Sequence, residues 1–556
     1  MQILTVKAAA KLLEVDPKTV YRLVERGQLP AFKVGKQWRM RLGDLEGWID
    51  GQVRAREATG SYRARQSPLF GAGAGQANGG TALKAGFSDS AFSENTALPI
   101  HRWVPWIAGF SAQFVGEALD RCLPEGAAAE QRVLDPFAGV GTTLVTAMLR
   151  GHSICGFEIN PYAARVCGLK LKISSIPVKA LACGLRDFAA TVDKWVASGR
   201  EPKSFVPPGF ATRNRFLSQV VERKVLLVQD FIAGIEDRLV RACFEVALAS
   251  ELVGFSNYSY EPSLGTRAAA GKPDVEDAPV VRKLERKLGQ MLEDIRAAQA
   301  AFAEAGGCPA AEFHAGDFFE HERVLPDASI DLVVTSPPYL NNYHYVRNSR
   351  PQVYWLGLVS SPTDLKQIEE TSFGKFWQTV RAEAGIPLAF PMPDLEESIG
   401  LLRARNADKG IYGGSGWANY AATYFNDCMR FARTLHRVLK PGGRAVVVLG
   451  NSILQGVEFK TDQLFGRICE ACKLEVKDIH LLRKKRTGAS IIQSSVRANA
   501  AQEKATLYES AVMVVNQARE FSPRPPKHRG GAVRRREYHP RSLPPSTPRP
   551  ISGPDG

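Results

Sequence analysis

The sequence has no run of apolar residues long enough to cross a membrane, and no secretory signal peptide is recognisable in it. Its nine cysteines are scattered, which argues against a disulfide framework. Cys469 and Cys472 form one Cys-x-x-Cys pair, but the second pair that a zinc site needs is missing. No internal repeat is detectable. We therefore expect a cytoplasmic protein, associated with the nucleoid if its source is bacterial, and no metal site.

What the sequence has in excess is length and positive charge. A chain of 556 residues is too long for one hydrophobic core, so two or more domains are expected. The formal net charge of +15 favours a polyanionic partner. Between residues 519 and 556, nine Lys or Arg residues stand against three acids among many prolines. Such a segment cannot build a core, so we predict a disordered basic tail over 516–556.

A glycine-containing loop gives the first indication of a ligand site. Residues 132–144 read Arg-Val-Leu-Asp-Pro-Phe-Ala-Gly-Val-Gly-Thr-Thr-Leu, in which an apolar pair predicts a short buried strand and the threonines open a helix. Gly139 and Gly141 permit a tight backbone turn between the two. The next strand ends on Glu158, 23 residues after Asp135, where an acid can hold ribose hydroxyls. This order predicts a nucleotide-type cofactor site in an open α/β sheet.

A second motif, Ser336-Pro-Pro-Tyr339, directly follows an apolar run. Two prolines cannot donate to a sheet ladder, so the strand must end there. The Ser336 hydroxyl and the Pro337 carbonyl stay available to accept hydrogen bonds from an amino group, and Tyr339 can stack on a planar base. Alone, the motif also fits a plain strand exit beside a packed tyrosine.

Together, the two motifs resemble the paired signatures of S-adenosylmethionine-dependent DNA amino-methyltransferases of the N4-cytosine and N6-adenine type. The resemblance covers roughly residues 99–169 and 311–515, with the family motifs in the same order. Residues 440–449 continue it with a Pro-Gly-Gly turn and a buried strand. It implies a Rossmann-like α/β methyltransferase sheet, S-adenosyl-L-methionine as cofactor and double-stranded DNA as partner. A cognate restriction endonuclease is a further candidate partner.

The resemblance also implies a role for each matching residue. The glycine loop would cradle the methionine part of the cofactor, with Glu158 on the ribose and Asp317 on the adenine ring. Residues 101–113 resemble the segment that closes over the methionine. The implied cofactor-binding residues are Asp135, Phe137, Ala138, Gly139, Gly141, Thr142, Glu158, Asp317 and Phe110. The implied catalytic residues are Ser336, Pro337, Pro338 and Tyr339.

The residue types of the second motif suit transfer to an exocyclic amine. Such an amine is a poor nucleophile because its lone pair is delocalised into the ring. Acceptors at Ser336 and Pro337 would localise that lone pair, while the protein positions and desolvates the reactants. The target base must be flipped out of the duplex. By family usage, serine rather than aspartate at position 336 favours cytosine N4 over adenine N6.

The first 50 residues predict a separate winged helix-turn-helix domain. Residues 4–15 have helical apolar spacing with Thr5 as a cap, and residues 16–27 begin a second helix with Asp and Pro and end at Gly. Residues 28–41 alternate as a hairpin wing. The order resembles the excisionase and MerR-like DNA-binding domains. A protein-docking helix pair with a solvated basic face is the alternative.

The expected DNA contacts combine cations for phosphates with two side chains for bases. In the N-terminal domain they are Thr19, Tyr21, Arg22, Arg26, Lys33, Lys36 and Arg39. Arg347, shortly after the Ser-Pro-Pro-Tyr motif, is a further candidate for a phosphate contact.

The expected organisation has six parts. They are the helix-turn-helix domain (1–50), a flexible linker (51–98), a methyltransferase N-terminal part (99–169), a mostly helical insert (170–310), a methyltransferase C-terminal part (311–515) and the basic tail (516–556). Residues 360–415 show no regular pattern and are a candidate region for target recognition.

Two other functions fit parts of the sequence. A tRNA or other RNA amino-methyltransferase of the guanine-N2 type would share the glycine loop and a Pro-Pro-Tyr turn, although such enzymes usually have Asp before the prolines. A noncatalytic DNA-binding regulator could retain a methylase-like body. The intact motifs at residues 135–141 and 336–339 argue against loss of activity.

Overall fold

The computed structural model describes residues 3–12, 16, 20–21, 24, 29–34, 37–41, 45, 87, 95–106, 109–124, 128–260, 264–340, 345–485 and 507–517. Most of the predicted linker over 51–98 lies outside these residues, as does the predicted tail beyond Gln517. At the end of the linker range, Phe87 packs on Phe114 with the ring centroids 5.1 Å apart, and Asn95 is buried.

The N-terminal domain contains a three-stranded antiparallel sheet in the order β1–β3–β2. Its described elements are β1 (Ile3–Thr5), α1 (Val6–Leu12), β2 (Phe32–Val34) and β3 (Gln37–Arg41). The Thr5 hydroxyl accepts a hydrogen bond from the Ala8 N–H at 3.1 Å, which confirms the predicted cap. Strands β2 and β3 pair with Lys33 opposite Trp38, which confirms the predicted hairpin.

Strand β1 differs from the sequence prediction. The apolar spacing predicts a helix from Leu4, whereas Ile3–Thr5 pairs with β3 as an extended strand. One edge of β3 pairs with β2, and the backbone N–H and C=O groups of its other edge form hydrogen bonds with β1. The buried core of the domain consists of Leu4, Val6, Ala9, Ala10, Val20, Val24, Leu29, Met40 and Leu45.

The rest of the chain is a mixed α/β structure around one large sheet. The described strands of this part of the chain are β4 (Arg132–Asp135), β5 (Ser153–Glu158), β6 (Tyr258–Tyr260), β7 (Leu264–Thr266), β8 (Ala311–Ala315), β9 (Ile330–Thr335), β10 (Leu439–Gly450), β11 (Ser452–Leu454), β12 (Val457–Phe459), β13 (Leu474–Lys485) and β14 (Leu507–Asn516). The pairs β6–β7 and β11–β12 form separate two-stranded sheets. The large sheet has seven strands in the order β13–β14–β10–β9–β4–β5–β8. Strands β10, β9, β4, β5 and β8 are parallel, and β14 is antiparallel to both of its neighbours.

The α-helices cover both faces of this sheet. They are α2 (Ala112–Cys122), α3 (Thr142–Leu149), α4 (Pro161–Leu171), α5 (Val178–Ala197), α6 (Gln219–Ala233), α7 (Arg238–Glu251), α8 (Val280–Glu304), α9 (Phe318–His321), α10 (Tyr345–Asn348), α11 (Arg350–Trp355), α12 (Pro362–Thr371), α13 (Trp377–Val380), α14 (Pro393–Ala404), α15 (Gly414–Val438) and α16 (Thr461–Ala471). Helices α5 to α8 fall in the range of the predicted insert, together with the small β6–β7 hairpin.

Neighbouring residues of the central strands contribute to different hydrophobic layers. In β4, Val133 packs with the layer of α2, α3 and α4, and Leu134 packs with the layer of α15 and α16. In β9, Val334 packs in the first of these layers and Val333 packs in the second. Because both faces are covered, these strands are nearly continuous apolar runs. The carboxyl ends of the parallel strands therefore lie along one edge of the sheet, where α/β proteins bind ligands.

Residues 360–415 are more regular than the sequence indicates. They contain α12, α13, α14 and a 3-10 helix over Ala407–Tyr412. The helices α12 and α14 both carry proline in the first turn, and α13 is only four residues long. A helix of four residues is too short for a helical period to be recognised in the sequence.

Candidate active site

The glycine loop joins β4 to α3 at the carboxyl edge of the sheet. Gly139 and Gly141 have φ values of +53° and +87°, a region that favours glycine. A Cβ atom on Gly141 would also lie 2.9 Å from the Cys167 sulfur. Gly141 directly precedes α3, so this turn fixes the direction of the helix.

Asp135 lies beneath the loop and connects the two motifs. Its carboxylate accepts hydrogen bonds from the Thr335 hydroxyl at 2.6 Å and from the Phe137 N–H at 3.1 Å. The residue is 1% exposed, and this burial raises the pKa of the carboxyl to about 6 against the opposing effect of those hydrogen bonds. Because Thr335 ends β9, Asp135 holds the glycine loop and the Ser-Pro-Pro-Tyr motif together.

Glu158 connects the loop to the end of β5. Its carboxylate accepts hydrogen bonds from the N–H groups of Gly139 and Asn160, both at 2.7 Å. Burial raises the pKa of this carboxyl to about 7. Both carboxylate oxygens accept backbone hydrogen bonds here, and with about four lone-pair sites the group has further capacity for a ligand hydroxyl.

Asp317 follows β8 and caps α9, where its carboxylate accepts a hydrogen bond from the Glu320 N–H at 3.3 Å. Burial raises the pKa of Asp317. The next residue, Phe318, meets the Phe137 ring edge-on at 5.9 Å. An acid therefore stands beside an aromatic wall on this side of the loop.

The Ser-Pro-Pro-Tyr motif leaves the end of β9 beside this loop. Ser336 and Pro338 face the same cavity as Gly139 and Glu158. Pro337 is buried. Tyr339 is not among the lining residues, but its hydroxyl lies 3.5 Å from the Ser336 hydroxyl, and a Cβ atom on Gly450 would lie 3.2 Å from its ring.

The structure brings most of the predicted site residues to one cavity. The residues from the predicted cofactor and catalytic sets that line it are Phe110, Phe137, Ala138, Gly139, Thr142, Glu158, Asp317, Ser336 and Pro338. Asp135, Gly141, Pro337 and Tyr339 are absent from the lining. Asp135 and Gly141 shape the loop from behind, as described above, and Tyr339 packs toward β10.

Further lining residues lie outside the predicted cofactor and catalytic sets, although Trp106 belongs to the segment 101–113 that is expected to close over the methionine. They include Trp106, Ile159, Asn160, Tyr345, Val346, Glu369, Ser372, Phe373, Lys375 and Phe376. Asn160 lies two residues after Glu158, so the sequence could have indicated it as a lining residue. Residues 369–376 come from the region without a regular pattern, so only the fold brings them to the cavity.

Trp106 covers the glycine loop, and the helical insert holds its segment in place. A Cβ atom on Gly139 would lie 3.3 Å from the Trp106 indole nitrogen. A few residues earlier, the Ile100 N–H, the Arg102 guanidinium and the Trp103 indole N–H all donate to Asp294 of α8, at 2.7–3.2 Å. Asp294 is 3% exposed. The insert therefore anchors the chain that precedes the cover.

The structure describes four of the predicted DNA-binding residues. Tyr21 is 45% exposed, and Arg347 is exposed on α10. The Lys33 ammonium lies 4.8 Å from the centre of the Trp38 ring, and Arg39 donates to the Trp38 carbonyl at 3.0 Å. Thr19, Arg22, Arg26 and Lys36 lie outside the described residues. Their role in DNA binding stays a prediction.

One group of side chains in the described ranges has the spacing of a metal-binding set. Ligand atoms of Cys155, Glu312 and His314 lie within 4.8 Å of one another. However, Arg132 forms an ion pair with Glu312, and burial raises the pKa of the Cys155 thiol to about 12. The group is therefore poorly prepared to bind a cation. Among the described helices, none combines the length and apolarity needed to span a bilayer.

Comparisons with known proteins relate both parts of the chain to DNA-associated families. A helix-turn-helix domain family model matches residues 3–53. The type II methyltransferase M.BsoBI of Geobacillus stearothermophilus is 21% identical over 440 residues, which cover 72% of this chain and 83% of that protein. The type II methyltransferase M.MvaI of Kocuria varians is 20% identical over 354 residues, 61% of this chain and 74% of that protein.

A short relative matches the N-terminal region alone. A putative DNA-binding protein of Mycobacterium tuberculosis is 51% identical over 39 residues, which cover 7% of this chain and 50% of that protein. The predicted resemblance to methyltransferases, with an N-terminal helix-turn-helix domain, is confirmed.

Proposed function

Because the chain is homologous to type II methyltransferases and has an N-terminal helix-turn-helix domain, we propose that it is a DNA methyltransferase. In this proposal it transfers the methyl group of S-adenosylmethionine to an exocyclic amino group of a flipped base in double-stranded DNA. Cytosine N4 is the favoured acceptor and adenine N6 the alternative.

The observation that carries the proposal is the shared cavity. The cofactor-type residues Gly139, Glu158 and Asp317 line the same space as Ser336 and Pro338 of the catalytic motif. The hydrogen bond from Thr335 to Asp135 fixes the separation between the two motifs. A methyl donor held by the first set would therefore lie beside an amine held by the second, as direct transfer requires.

The sheet topology supports a Rossmann-like methyltransferase fold. Four of the five parallel strands, β4, β5, β8 and β9, carry the motifs at their carboxyl ends, and the antiparallel β14 lies between β10 and β13. The glycine loop follows β4, which is a central strand with a parallel neighbour on each side. Such central crevices are where open α/β sheets bind nucleotide-type ligands.

The lining residues fit the adenosine part of S-adenosylmethionine. The backbone at Gly139 leaves a space that a side chain would fill against Trp106. Glu158 has acceptor capacity for ribose hydroxyls, and Asp317 stands beside Phe318, where an adenine amine and ring would be recognised. When bound, this cofactor supplies an electrophilic methyl group.

The chain's own residues prepare the acceptor amine. The Ser336 hydroxyl and the Pro337 carbonyl would accept hydrogen bonds from its N–H groups and so localise the nitrogen lone pair. Phe373, Phe376 and Trp106 give the cavity an aromatic lining, which would displace water when both substrates are bound. The rigid Pro-Pro segment holds these acceptors in one geometry, which lowers the entropic cost of alignment.

The proposal is tested by labelled methyl transfer from S-adenosylmethionine to unmethylated duplex DNA and, in parallel, to tRNA. Digestion of the product to nucleosides and mass spectrometry would identify the modified base. We expect N4-methylcytosine in DNA. N6-methyladenine would correct the acceptor alone, transfer only to tRNA would support the RNA enzyme, and no transfer to either would support the noncatalytic regulator.

The pKa of Glu158 predicts how cofactor binding depends on pH. Ribose hydroxyls donate to the ionised carboxylate, and the pKa of about 7 in the free protein means that ionisation is incomplete at neutral pH. The affinity for S-adenosylmethionine should therefore rise about tenfold between pH 6 and pH 8. Isothermal titration calorimetry of the wild type and of Glu158→Gln measures this, and the variant should bind weakly with a flattened pH profile.

The same pKa gives an opposite trend for the stability of the free protein. A carboxyl whose pKa is raised from 4.5 contributes stability that is present below pH 4.5 and is lost as the pH rises through about 7. Glu304→Gln, at an exposed acid at the end of α8, is the control and should keep the wild-type pH profile of S-adenosylmethionine affinity. If the S-adenosylmethionine affinity of Glu158→Gln depended on pH as in the wild type, the role assigned to Glu158 would be contradicted.

Deletion of residues 1–50 should weaken DNA affinity more than it lowers the maximal rate. The helix-turn-helix domain raises the local DNA concentration near the cavity but supplies no reacting group. We expect the dissociation constant for duplex DNA to rise about tenfold or more, with kcat at saturating DNA changed by less than about twofold. Fluorescence anisotropy and initial rates measure the two quantities. Unchanged affinity would refute this role of the domain.

A further inference from the structure

Tyr339 of the catalytic motif meets three residues of other strands, Gly450, Arg483 and Glu509, at the carboxyl edge of the sheet. Strands β9 and β10 are parallel, β14 is antiparallel to β10, and β13 is antiparallel to β14. The end of β10 at Gly450, the beginning of β14 near Glu509 and the end of β13 near Arg483 therefore lie at the edge that Ser336 and Tyr339 also occupy.

The strand register places the side chains on one face of the sheet. Gly450 is directly opposite Glu509, and Glu509 is directly opposite Arg483. Residues directly opposite each other in a ladder project their side chains to the same face. The Tyr339 ring lies where a Cβ atom of Gly450 would point, at 3.2 Å, so it occupies this face too.

Glu509 and Arg483 form a largely buried ion pair beside that ring. The Arg483 Nε atom donates to Glu509 Oε2 at 2.5 Å, and the Glu509 side chain is 5% exposed. Burial raises the pKa of the Tyr339 phenol well above its usual value, the negative charge of Glu509 raises it further, and Arg483 lowers it. The Ser336 hydroxyl donates toward the Tyr339 phenol oxygen, at 3.5 Å.

We propose that the Arg483–Glu509 ion pair is a positioning element that holds the Tyr339 hydroxyl and so fixes the tyrosine ring that stacks on the target base. This inference rests on the proposed function. Neither residue needs to touch the reacting atoms, since both act through Tyr339. In the strand order, β13 and β14 are separated from β4, which carries the glycine loop, by β10 and β9, so the pair would influence the base without influencing the methyl donor.

A double-mutant cycle tests the proposal in the full-length chain. The four proteins are the wild type, Glu509→Gln, Tyr339→Phe and the double variant, assayed with labelled S-adenosylmethionine on unmethylated genomic DNA. We expect each single change to lower kcat about tenfold, and the double variant to be no more than about twofold worse than either. The dissociation constant for S-adenosylmethionine should stay within about twofold of the wild type in all four.

Multiplicative effects, with the double variant about a hundredfold below the wild type, would overturn the proposal, as would a wild-type kcat in Glu509→Gln. Asp331→Asn is the matched control, because it breaks a cross-strand ion pair with Lys440 at the opposite edge of the same sheet. That variant should keep its kcat within about twofold and show no coupling to Tyr339→Phe.

Two further outcomes are separable. If Glu509→Gln loses its cooperative melting transition, Arg483→Lys replaces it in the cycle, since this change retains the charge but not the guanidinium geometry. If the wild type methylates no DNA, the proposed function fails. If the wild type is active and the cycle is multiplicative, only the role of the ion pair fails.

Discussion

Tyr339→Ala should lower kcat for methyl transfer about a hundredfold while the affinity for S-adenosylmethionine stays within about twofold of the wild type. The ring is the proposed stacking surface for the flipped base, so its loss leaves the acceptor amine poorly aligned. Tyr339 does not line the cavity that the cofactor residues share, so the donor site should remain intact. Single-turnover rates and calorimetry separate the two effects.

Tyr339→Phe is the matched variant, because it retains the ring and removes the hydroxyl. Its loss should be about tenfold, between the wild type and alanine. A parallel loss of cofactor affinity in Tyr339→Ala would contradict the separation of the two sides of the site. A kcat equal to the wild type in Tyr339→Ala would contradict stacking altogether.

Asp294→Ala should lower the free energy of unfolding by about 2–4 kcal/mol. Its carboxylate accepts hydrogen bonds from the Ile100 N–H, the Arg102 guanidinium and the Trp103 indole. Without it, these donors lose their partner in a buried site, and the Arg102 side chain is only 24% exposed. Urea denaturation monitored by tryptophan fluorescence measures the change.

The same variant should also weaken S-adenosylmethionine binding about tenfold, because the segment leading to Trp106 loses its anchor. Glu293→Ala is the control, since this neighbouring acid of α8 is exposed. It should change stability by less than about 0.5 kcal/mol and leave cofactor affinity unchanged. Equal effects of the two substitutions would show that Asp294 has no special role.

Asp294 also gives the helical insert a function that its sequence did not reveal. Helix α8 belongs to the insert, yet its buried acid holds residues 100–103 in front of the glycine loop. In the sequence, Asp294 lies among ordinary amphipathic helical positions. Asp294 lies more than 190 residues from Ile100 along the chain, and only the fold brings it to the site.

The local elements around the cofactor loop were predictable because each depends on neighbouring residues. Helix α3 begins at Thr142 and ends before Gly151, and β5 ends on Glu158, as the glycine and strand patterns predict. Strand β9 ends before the two prolines because proline has no N–H group to donate to the sheet. Likewise, the cap at Thr5 and the β2–β3 hairpin follow from local side chains.

The remaining lining could not be predicted, because it depends on contacts between distant segments. Phe373 and Phe376 lie in the turn between α12 and α13, which no helical period marks in the sequence. Strand β1 forms only because β3 presents an open edge. The contact of the Tyr339 ring with Gly450 depends on where β10 ends, which no local pattern indicates, and the stacking of Tyr339 on the target base stays a prediction.

By itself, the sequence determined the two motifs, their order and the basic N-terminal domain, since these depend on residue types and short spacings. Only the tertiary structure decided that Asp135 and Thr335 join the motifs, that Asp294 anchors the cover and that Arg483 and Glu509 stand beside Tyr339. The physical reason is the same in each case. Strand register and buried hydrogen bonds between residues far apart in the chain are set by packing of the whole sheet, which no local pattern records.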